Sequence, residues 1–135
     1  MSYPIASIDG LDADAASQLR AVRIRSTARL LDAAGPLKGR KALAETTGID
    51  ARRLLCWANM ADRMRIKGVN KEYAELLQAA GVDTVRELKY RNPAKLAAAM
   101  AAVNKKQKLV RVLPSENVVA RWIECAKNLP LKVSY

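Results

Sequence analysis

Histidine and phenylalanine are absent from this 135-residue chain, and aromatic residues make up only 4% of it. Without histidine there is no histidine-based catalytic triad and no zinc site that uses imidazole. The motifs of phosphate-binding and dinucleotide-binding loops are missing as well. The sequence therefore offers no catalytic group, and we expect a protein that binds its partner without catalysis, metal or cofactor.

The chain is also poor in cysteine and in long apolar runs. Cys56 and Cys125 lie far apart and match no metal-binding or redox spacing. We interpret them as small buried apolar groups, and a disulfide is the alternative. The longest apolar run, residues 96–103, is too short to cross a membrane. Because the first residues lack the basic and apolar regions of a secretory signal, we expect a cytoplasmic protein.

Positive charge is abundant and unevenly distributed. The net charge is +11 and the pI about 10.1. Residues 1–64 hold ten basic and seven acidic side chains, a net charge of +3, and residues 65–135 hold fourteen and six, a net charge of +8. This excess indicates an acidic partner, with nucleic acid ahead of an anionic membrane, although lysines that only face water would also explain it. We expect the second half to bind the anion.

Half of the residues are hydrophobic, and their spacing predicts helices. Alanine-rich composition favours packed helices over sheets. Capping residues and apolar periodicity predict eight helices, at about 12–22, 26–34, 38–47, 50–63, 71–80, 85–90, 93–104 and 115–129. The sequence therefore predicts an all-α protein.

The two halves of the chain resemble each other. A shift of 58 residues aligns Gly10 with Gly68, and a shift of 65 aligns Trp57 with Trp122. We predict two repeats of about four helices, at 1–64 and 65–135, packed as one compact SAM-like domain. The second repeat carries a basic insert, KKQKLVRVLP at 105–114, which we expect to form an extended arm. The tryptophans are predicted core anchors, because base stacking would require exposed rings.

One turn in the second half has the chemistry of an anion site. Gly68 lacks a side chain that would block close approach, and Lys67 and Lys71 flank it. Asn70 is the expected N-cap of the helix that follows, whose first amides and dipole favour an anion. The alternative is that Gly68 only permits a tight turn and that both lysines are solvated.

Two further groups of basic residues could contribute. Lys105, Lys106, Lys108 and Arg111 form a basic run beside apolar residues, which could follow a phosphate backbone. Arg20, Arg23, Arg25 and Arg29 could extend the surface, but we expect them to pair with Asp32 and with the acids of the first turn. Those acids, Asp9, Asp12 and Asp14, do not match the spacing of an EF-hand calcium loop.

The stretch IKGVNKEYAELLQAAGVDTVREL, residues 66–88, resembles the helix-hairpin-helix family, and IDGLDADAASQLRAVRIRSTARL, residues 8–30, matches it less closely. With RNPAKL and TGIDARRLLCWANMADRMR, the pattern also resembles an uncharacterised bacterial family of tandem helix-hairpin-helix proteins, a domain of unknown function, over residues 3–130. That family implies no activity. The wider superfamily implies sequence-independent binding to DNA phosphates through hairpin amides and nearby cations.

Under this resemblance the binding roles fall on Lys67, Gly68, Asn70 and Lys71, and weakly on Gly10 and Asp12. The usual second hairpin glycine is replaced by Asn70 and by Asp12, and the first hairpin is acidic enough to repel phosphate. We therefore expect non-catalytic binding of nucleic acid, DNA more than RNA, at the second hairpin. The alternative is an adaptor that binds a protein partner. The sequence leaves the oligomeric state open.

Overall fold

The structure is a computed structural model that describes residues 2–135. A 3₁₀ turn at Ile5–Ser7 comes first. Within the described range the chain is all-helical, as predicted, and its β pairing is limited to an isolated bridge between Pro4 and Ser26. The helices are α1 (Ala13–Ala21), α2 (Thr27–Ala34), α3 (Leu37–Thr47), α4 (Ala51–Arg63), α5 (Lys71–Ala79), α6 (Val85–Leu88), α7 (Pro93–Gln107) and α8 (Glu116–Asn128).

Side-chain caps begin seven of these helices, where the sequence predicts them. Each capping oxygen accepts a hydrogen bond from a backbone N–H of the first turn, which would otherwise lack a partner. The caps are Asp12, Ser26, Asp50, Asn70, Thr84, Asn92 and Ser115. Helix α3 differs, because Pro36 provides no cap and the Leu37 N–H instead donates to Ser134 Oγ, 2.8 Å away.

Helix α4 contacts both parts of the chain. It packs against α2 and α3 on the one hand and against α5 and α6 on the other, while α7 packs against α8 and α5. The core is aliphatic, and Trp57 and Trp122 are only 4% and 3% exposed. Their burial confirms that both tryptophans are core anchors. The division into units at 64/65 and the duplication remain predictions.

The expected arm at 105–114 is partly wrong. Lys105, Lys106 and Gln107 form the last turn of α7, and the C-cap residue Lys108 that follows has a φ of 52°. Lysine is a good helix former and its cation is favourable at a helix C-terminus, which explains the extension. Within the predicted arm, residues 108–114 are non-helical. Asn104 holds them near α7 by donating to Val110 O at 3.1 Å and accepting from Val110 N at 2.9 Å.

The prediction of two buried cysteines is wrong for Cys56. Cys56 is exposed, Cys125 is half-buried, and both are free thiols. The reason lies in the register of α4, whose buried face is formed by Leu54, Trp57, Ala58 and Ala61, so Cys56 lies beside that face. None of the described helices combines the length and apolarity required to cross a membrane.

Candidate functional site

Two exposed glycine turns precede α1 and α5. We call residues 8–14 the first glycine turn and residues 66–72 the second. Gly10 has φ 78° and Gly68 has φ 89°, values that side-chain-bearing residues rarely adopt. Each turn is closed by a backbone hydrogen bond across the glycine, from Leu11 N to Ile8 O (3.4 Å) and from Val69 N to Ile66 O (3.0 Å).

Both turns present unused backbone donors. Within residues 2–135, the amides of Gly68 and Lys71 donate to no acceptor, and neither do those of Gly10 and Ala13. These groups lie at exposed positions or at the first residue of a helix, where the dipole also favours negative charge. The backbone of either turn could therefore hold an anion.

A cleft of about 470 Å³ adjoins the second glycine turn, with an aromatic side chain beneath the glycine. A Cβ added to Gly68 would lie 3.4 Å from Trp122 Nε1. The Tyr73 and Trp122 ring centroids are 5.3 Å apart, with the rings inclined by 54°. The cleft is lined by Lys67, Gly68, Tyr73, Val118, Arg121, Trp122 and Cys125.

The structure places most of the predicted turn residues at the surface. Lys67, Gly68 and Asn70 are exposed, and Lys71 is half-buried. Asn70 Oδ1 accepts from Tyr73 N at 3.0 Å. The side-chain oxygen of Asn70 therefore caps α5, and of its side-chain amide the NH₂ group remains as a donor to an anion.

The basic run is divided between a helix and a loop. Lys105, Lys106, Lys108 and Arg111 are all exposed, and none forms an ion pair within residues 2–135. The Tyr73 hydroxyl donates to Val112 O at 2.9 Å. This bond connects the loop of Arg111 to α5. Among the described residues no hydrogen bond connects Lys105 or Lys106 to the second glycine turn.

Sequence reasoning missed Arg121, Tyr73 and Trp122 as residues of this cleft. Arg121 is exposed and lies on α8 beside the buried Trp122. The helical periodicity of the sequence could have identified the residues of α8. A helix that begins after Ser115 brings positions 118, 122 and 125 to one face, with position 121 at the border of that face.

The first glycine turn has the same backbone and the opposite charge. Asp9 and Asp14 are exposed and form no ion pair in the described part of the chain, and Asp12 pairs with Arg53 at 3.2 Å. The hydrogen bond from Ala15 N lowers the pKa of Asp12, and Arg53 lowers it further. Asp12 therefore stays ionised, and the turn would repel phosphate. The weakly predicted contributions of Gly10 and Asp12 have no electrostatic support.

Glu75 of α5 lies close enough to both turns for charged residues of each to affect its pKa. Its Oε1 is buried and accepts no hydrogen bond from residues 2–135. Burial raises the pKa of Glu75, the nearby Asp9 raises it further, and Lys71 opposes the shift. The negative charge of Asp9 in the first turn therefore acts on Glu75 of α5. Both residues line a small cleft together with Gln107.

The expected pairing of the four first-half arginines is wrong. Arg20, Arg23, Arg25 and Arg29 are exposed, and none forms an ion pair within residues 2–135. Two of the carboxylates that we assigned to them have other partners, because Asp12 pairs with Arg53 and Asp32 pairs with Lys132 at 3.1 Å. Asp9 and Asp14 form no ion pair within residues 2–135. Arg53 and Lys132 come from distant parts of the chain, so these two pairs could not be predicted from proximity in the sequence.

Arg63 holds α5 in place behind the second glycine turn. The side chain is only 2% exposed, and it donates to Ala74 O (3.1 Å), Asp83 O (2.5 Å) and Met60 Sδ (3.2 Å). Burial lowers the pKa of its guanidinium, while the charges of Asp83 and Asp62 oppose that shift. The buried side chain thus joins the end of α4 to α5 and to the loop after it.

Comparison with known proteins identifies the family without a function. No solved structure matches the chain significantly. One family model, described as a domain of unknown function (DUF4332), matches residues 9–129. Because this match covers most of the chain, the protein belongs to the DUF4332 family.

Proposed function

We propose that this protein binds nucleic acid through the second glycine turn, without catalysis and independently of base sequence. The supporting observation is the coincidence of unused backbone amides with uncompensated cations at one exposed turn. Gly68 and Lys71 provide the amides, and Lys67 and Arg121 provide cations beside them. Phosphate is the anion that such a surface suits, and duplex DNA offers it in a regular series.

The local charge supports this turn over the other. The exposed Lys67 and the half-buried Lys71 outweigh the single acidic residue of the turn, Glu72. The loop of Arg111, tied to Tyr73 through Val112, adds another exposed cation next to α5. A phosphate backbone that contacts Gly68 could therefore meet side-chain cations on either side. These contacts position a nucleic acid without reading its bases.

We further propose that residues 8–30 and 66–88 are two helix-hairpin-helix units. Several hydrogen bonds recur 58 residues apart. For example, Ala16 N to Asp12 O (2.9 Å) corresponds to Ala74 N to Asn70 O (2.8 Å). Likewise, Ile24 N to Leu19 O corresponds to Val82 N to Leu77 O, both at 2.9 Å. Under this interpretation, only the second unit binds phosphate, in the cytoplasm, with DNA preferred over RNA.

A salt titration with a matched pair of variants tests the proposal. Labelled duplex DNA, single-stranded DNA and duplex RNA are titrated with the parent protein, Lys67→Glu and Lys95→Glu. Lys95 is an exposed lysine on α7 that does not line the cleft, so both variants change the net charge equally. With about four to six phosphate contacts, we expect a Kd of about 10⁻⁴ to 10⁻⁶ M at physiological salt, and a log–log salt slope of about −0.9 for each phosphate neutralised.

We expect Lys67→Glu to weaken duplex binding by about tenfold and Lys95→Glu to weaken it by less than about threefold. Absence of binding at low salt would refute the proposal, and so would equal effects of the two variants. Either result would favour the alternative function, an adaptor that binds a protein partner. The observation that supports this alternative is the acidic first turn. A high ratio of absorbance at 260 nm to that at 280 nm in purified protein would argue for bound nucleic acid.

A further inference from the structure

A second surface lies between the α1–α2 connection and helices α2 and α3, on elements that do not line the Gly68 cleft. It is an open cleft of about 550 Å³, a size within the range of ligand-binding clefts. Its walls combine apolar side chains with two arginines. We call it the arginine cleft, and the residues that matter here are Val22, Ile24, Ala33, Leu43, Arg23 and Arg29.

Within residues 2–135 the arginines around this cleft have no acidic partner. Arg23 and Arg29 line it, and Arg20 and Arg25 adjoin them in sequence. All four are exposed, and none forms an ion pair in the range 2–135. The one acidic residue that lines the cleft, Asp32, is already paired with Lys132. A carboxylate-bearing partner would therefore meet free guanidinium groups.

Arg23 occupies a backbone position that disfavours a side chain. Its φ is 66°, and 58 residues later the corresponding position is Gly81, with φ 96°. The surrounding bonds are alike: Arg23 N donates to Arg20 O at 2.9 Å, and Gly81 N donates to Gln78 O at 3.0 Å. Glycine would adopt this conformation with less strain. Strained backbone of this kind is often found at functional positions, and here the strained residue is an arginine that lines a cleft.

We propose that the arginine cleft binds an acidic segment of a protein partner, whose leucine-like side chains enter the apolar part while its carboxylates pair with the arginines. Arginine suits this role because its planar guanidinium binds a carboxylate through two parallel hydrogen bonds. Ile24 and Leu43, only 7% and 8% exposed, form an apolar floor at the base of the cleft. A ligand that only paired with the arginines would gain nothing from this floor. Apolar anchors surrounded by polar contacts are typical of protein interfaces.

The lining argues against a nucleic acid as the occupant. Among residues 2–135, no aromatic side chain lines the arginine cleft. Binding of single-stranded nucleic acid uses aromatic platforms for base stacking, and binding to a duplex backbone has little use for an apolar floor. The proposal for the arginine cleft is therefore independent of the one for the second glycine turn.

Binding of a designed peptide to the full chain tests this inference. The probe is a short fluorescent peptide with two glutamates between successive leucines, and its matched control has serine at every leucine position. Both are titrated at low and physiological salt against the parent protein, Arg23→Glu/Arg29→Glu, and Arg52→Glu/Arg86→Glu. The last variant reverses two exposed arginines, on α4 and α6, that do not line the cleft. Arg23→Gly, which relieves the backbone strain, provides a variant that is expected to fold.

We expect the leucine peptide to bind the parent at least fivefold more tightly than the serine peptide. The Arg23/Arg29 reversal should weaken binding at least tenfold, Arg23→Gly about threefold, and the Arg52/Arg86 reversal less than threefold. Equal binding of both peptides, or equal effects of the two reversals, would overturn the proposal in favour of unspecific charge attraction. It would also be overturned if the Arg23/Arg29 reversal weakened duplex DNA binding at least tenfold more than the Arg52/Arg86 reversal, which changes the net charge equally.

Discussion

The two glycine turns share a backbone and differ in charge. Each has a glycine with positive φ, a capping side chain two residues later, and unused amides at the start of the next helix. The first turn carries Asp9, Asp12 and Asp14, whereas the second carries Lys67, Lys71 and Glu72. Backbone geometry alone would make both turns anion sites, so side-chain charge decides which of them can serve.

The turns also differ in what supports them. Behind the second turn, the buried guanidinium of Arg63 reaches α5 and the following loop, while the residue 58 positions earlier is the fully buried Ile5. A buried aliphatic side chain at this position is therefore compatible with a glycine turn. Arg63 adds a polar connection from α4 to α5 and to the loop after it, which Ile5 cannot provide at the first turn.

The largest effect is expected when this support is removed. Arg63→Met keeps an apolar stem but leaves Ala74 O and Asp83 O without their buried donor, so we expect a loss of about 3 kcal/mol in the free energy of unfolding. Ile5→Val, the matched change behind the first turn, should cost about 1 kcal/mol. Chemical denaturation measures both. Similar losses for the two variants would show that Arg63 is no more than a space-filling residue.

Charge reversal at the first turn should come next. Asp9→Lys/Asp14→Lys leaves the Asp12 cap and its pairing with Arg53 in place and gives this turn the positive sign of the second. We expect duplex DNA binding to tighten by about tenfold at low salt, which corresponds to about 1.4 kcal/mol. The matched control is Glu45→Lys/Glu116→Lys, which reverses two exposed acids outside both turns and changes the net charge equally. If the first-turn variant gains no more affinity than this control, the backbone of the first turn does not contribute to binding.

A pair of glycine substitutions separates stability from binding. Gly10→Ala and Gly68→Ala should each lower the free energy of unfolding by about 1 kcal/mol, because both positions have positive φ. A Cβ at Gly10 would meet nothing within 4 Å, whereas one at Gly68 would lie 3.4 Å from Trp122 Nε1. We expect only Gly68→Ala to weaken duplex binding, by about threefold. Equal losses of affinity in both variants would contradict a specific role of the second turn.

The smallest effect concerns Glu75 and depends on pH. A carboxyl group whose pKa is raised on folding destabilises the protein when the pH lies above 4.5, the ordinary pKa of a glutamate. This destabilisation disappears as the pH falls below that pKa. Glu75→Gln should therefore raise the free energy of unfolding at pH 7 by about 0.5 kcal/mol, because Glu75 is only half-buried and solvent screens its charge. A fully buried unsatisfied group typically costs about 1–3 kcal/mol. At pH 4 the variant and the parent should be equally stable. A gain that does not change with pH would assign the effect to packing.

Helices could be predicted from the sequence because their signals are local. Seven capping side chains and the aliphatic periodicity identified all eight helices to within a few residues. The cleft beside Gly68 could be predicted only in part, because Lys67 and Gly68 are neighbours in the chain, whereas Tyr73, Arg121 and Trp122 reach the cleft from two helices.

Ion pairing could not be predicted from sequence proximity. The pairs Asp12–Arg53 and Asp32–Lys132 connect residues that lie 41 and 100 positions apart. Our expectation assigned these aspartates to the nearby Arg20, Arg23, Arg25 and Arg29. Long exposed side chains pair according to tertiary packing and at little gain in energy, so the sequence contains almost no information about the choice.

The remote cap of α3 has a consequence for biosynthesis. The Leu37 N–H donates to Ser134 Oγ, and the buried Arg40 donates to Ser134 O at 2.8 Å. While a ribosome is still translating the intervening codons, neither donor has this acceptor. The nascent first half therefore emerges with an α3 that lacks this cap, and the acceptors of Arg40 are limited to Ala34 O and Gly35 O. Because contacts so distant in the chain are closed late, α3 acquires its final polar partners only after the last helix has been made.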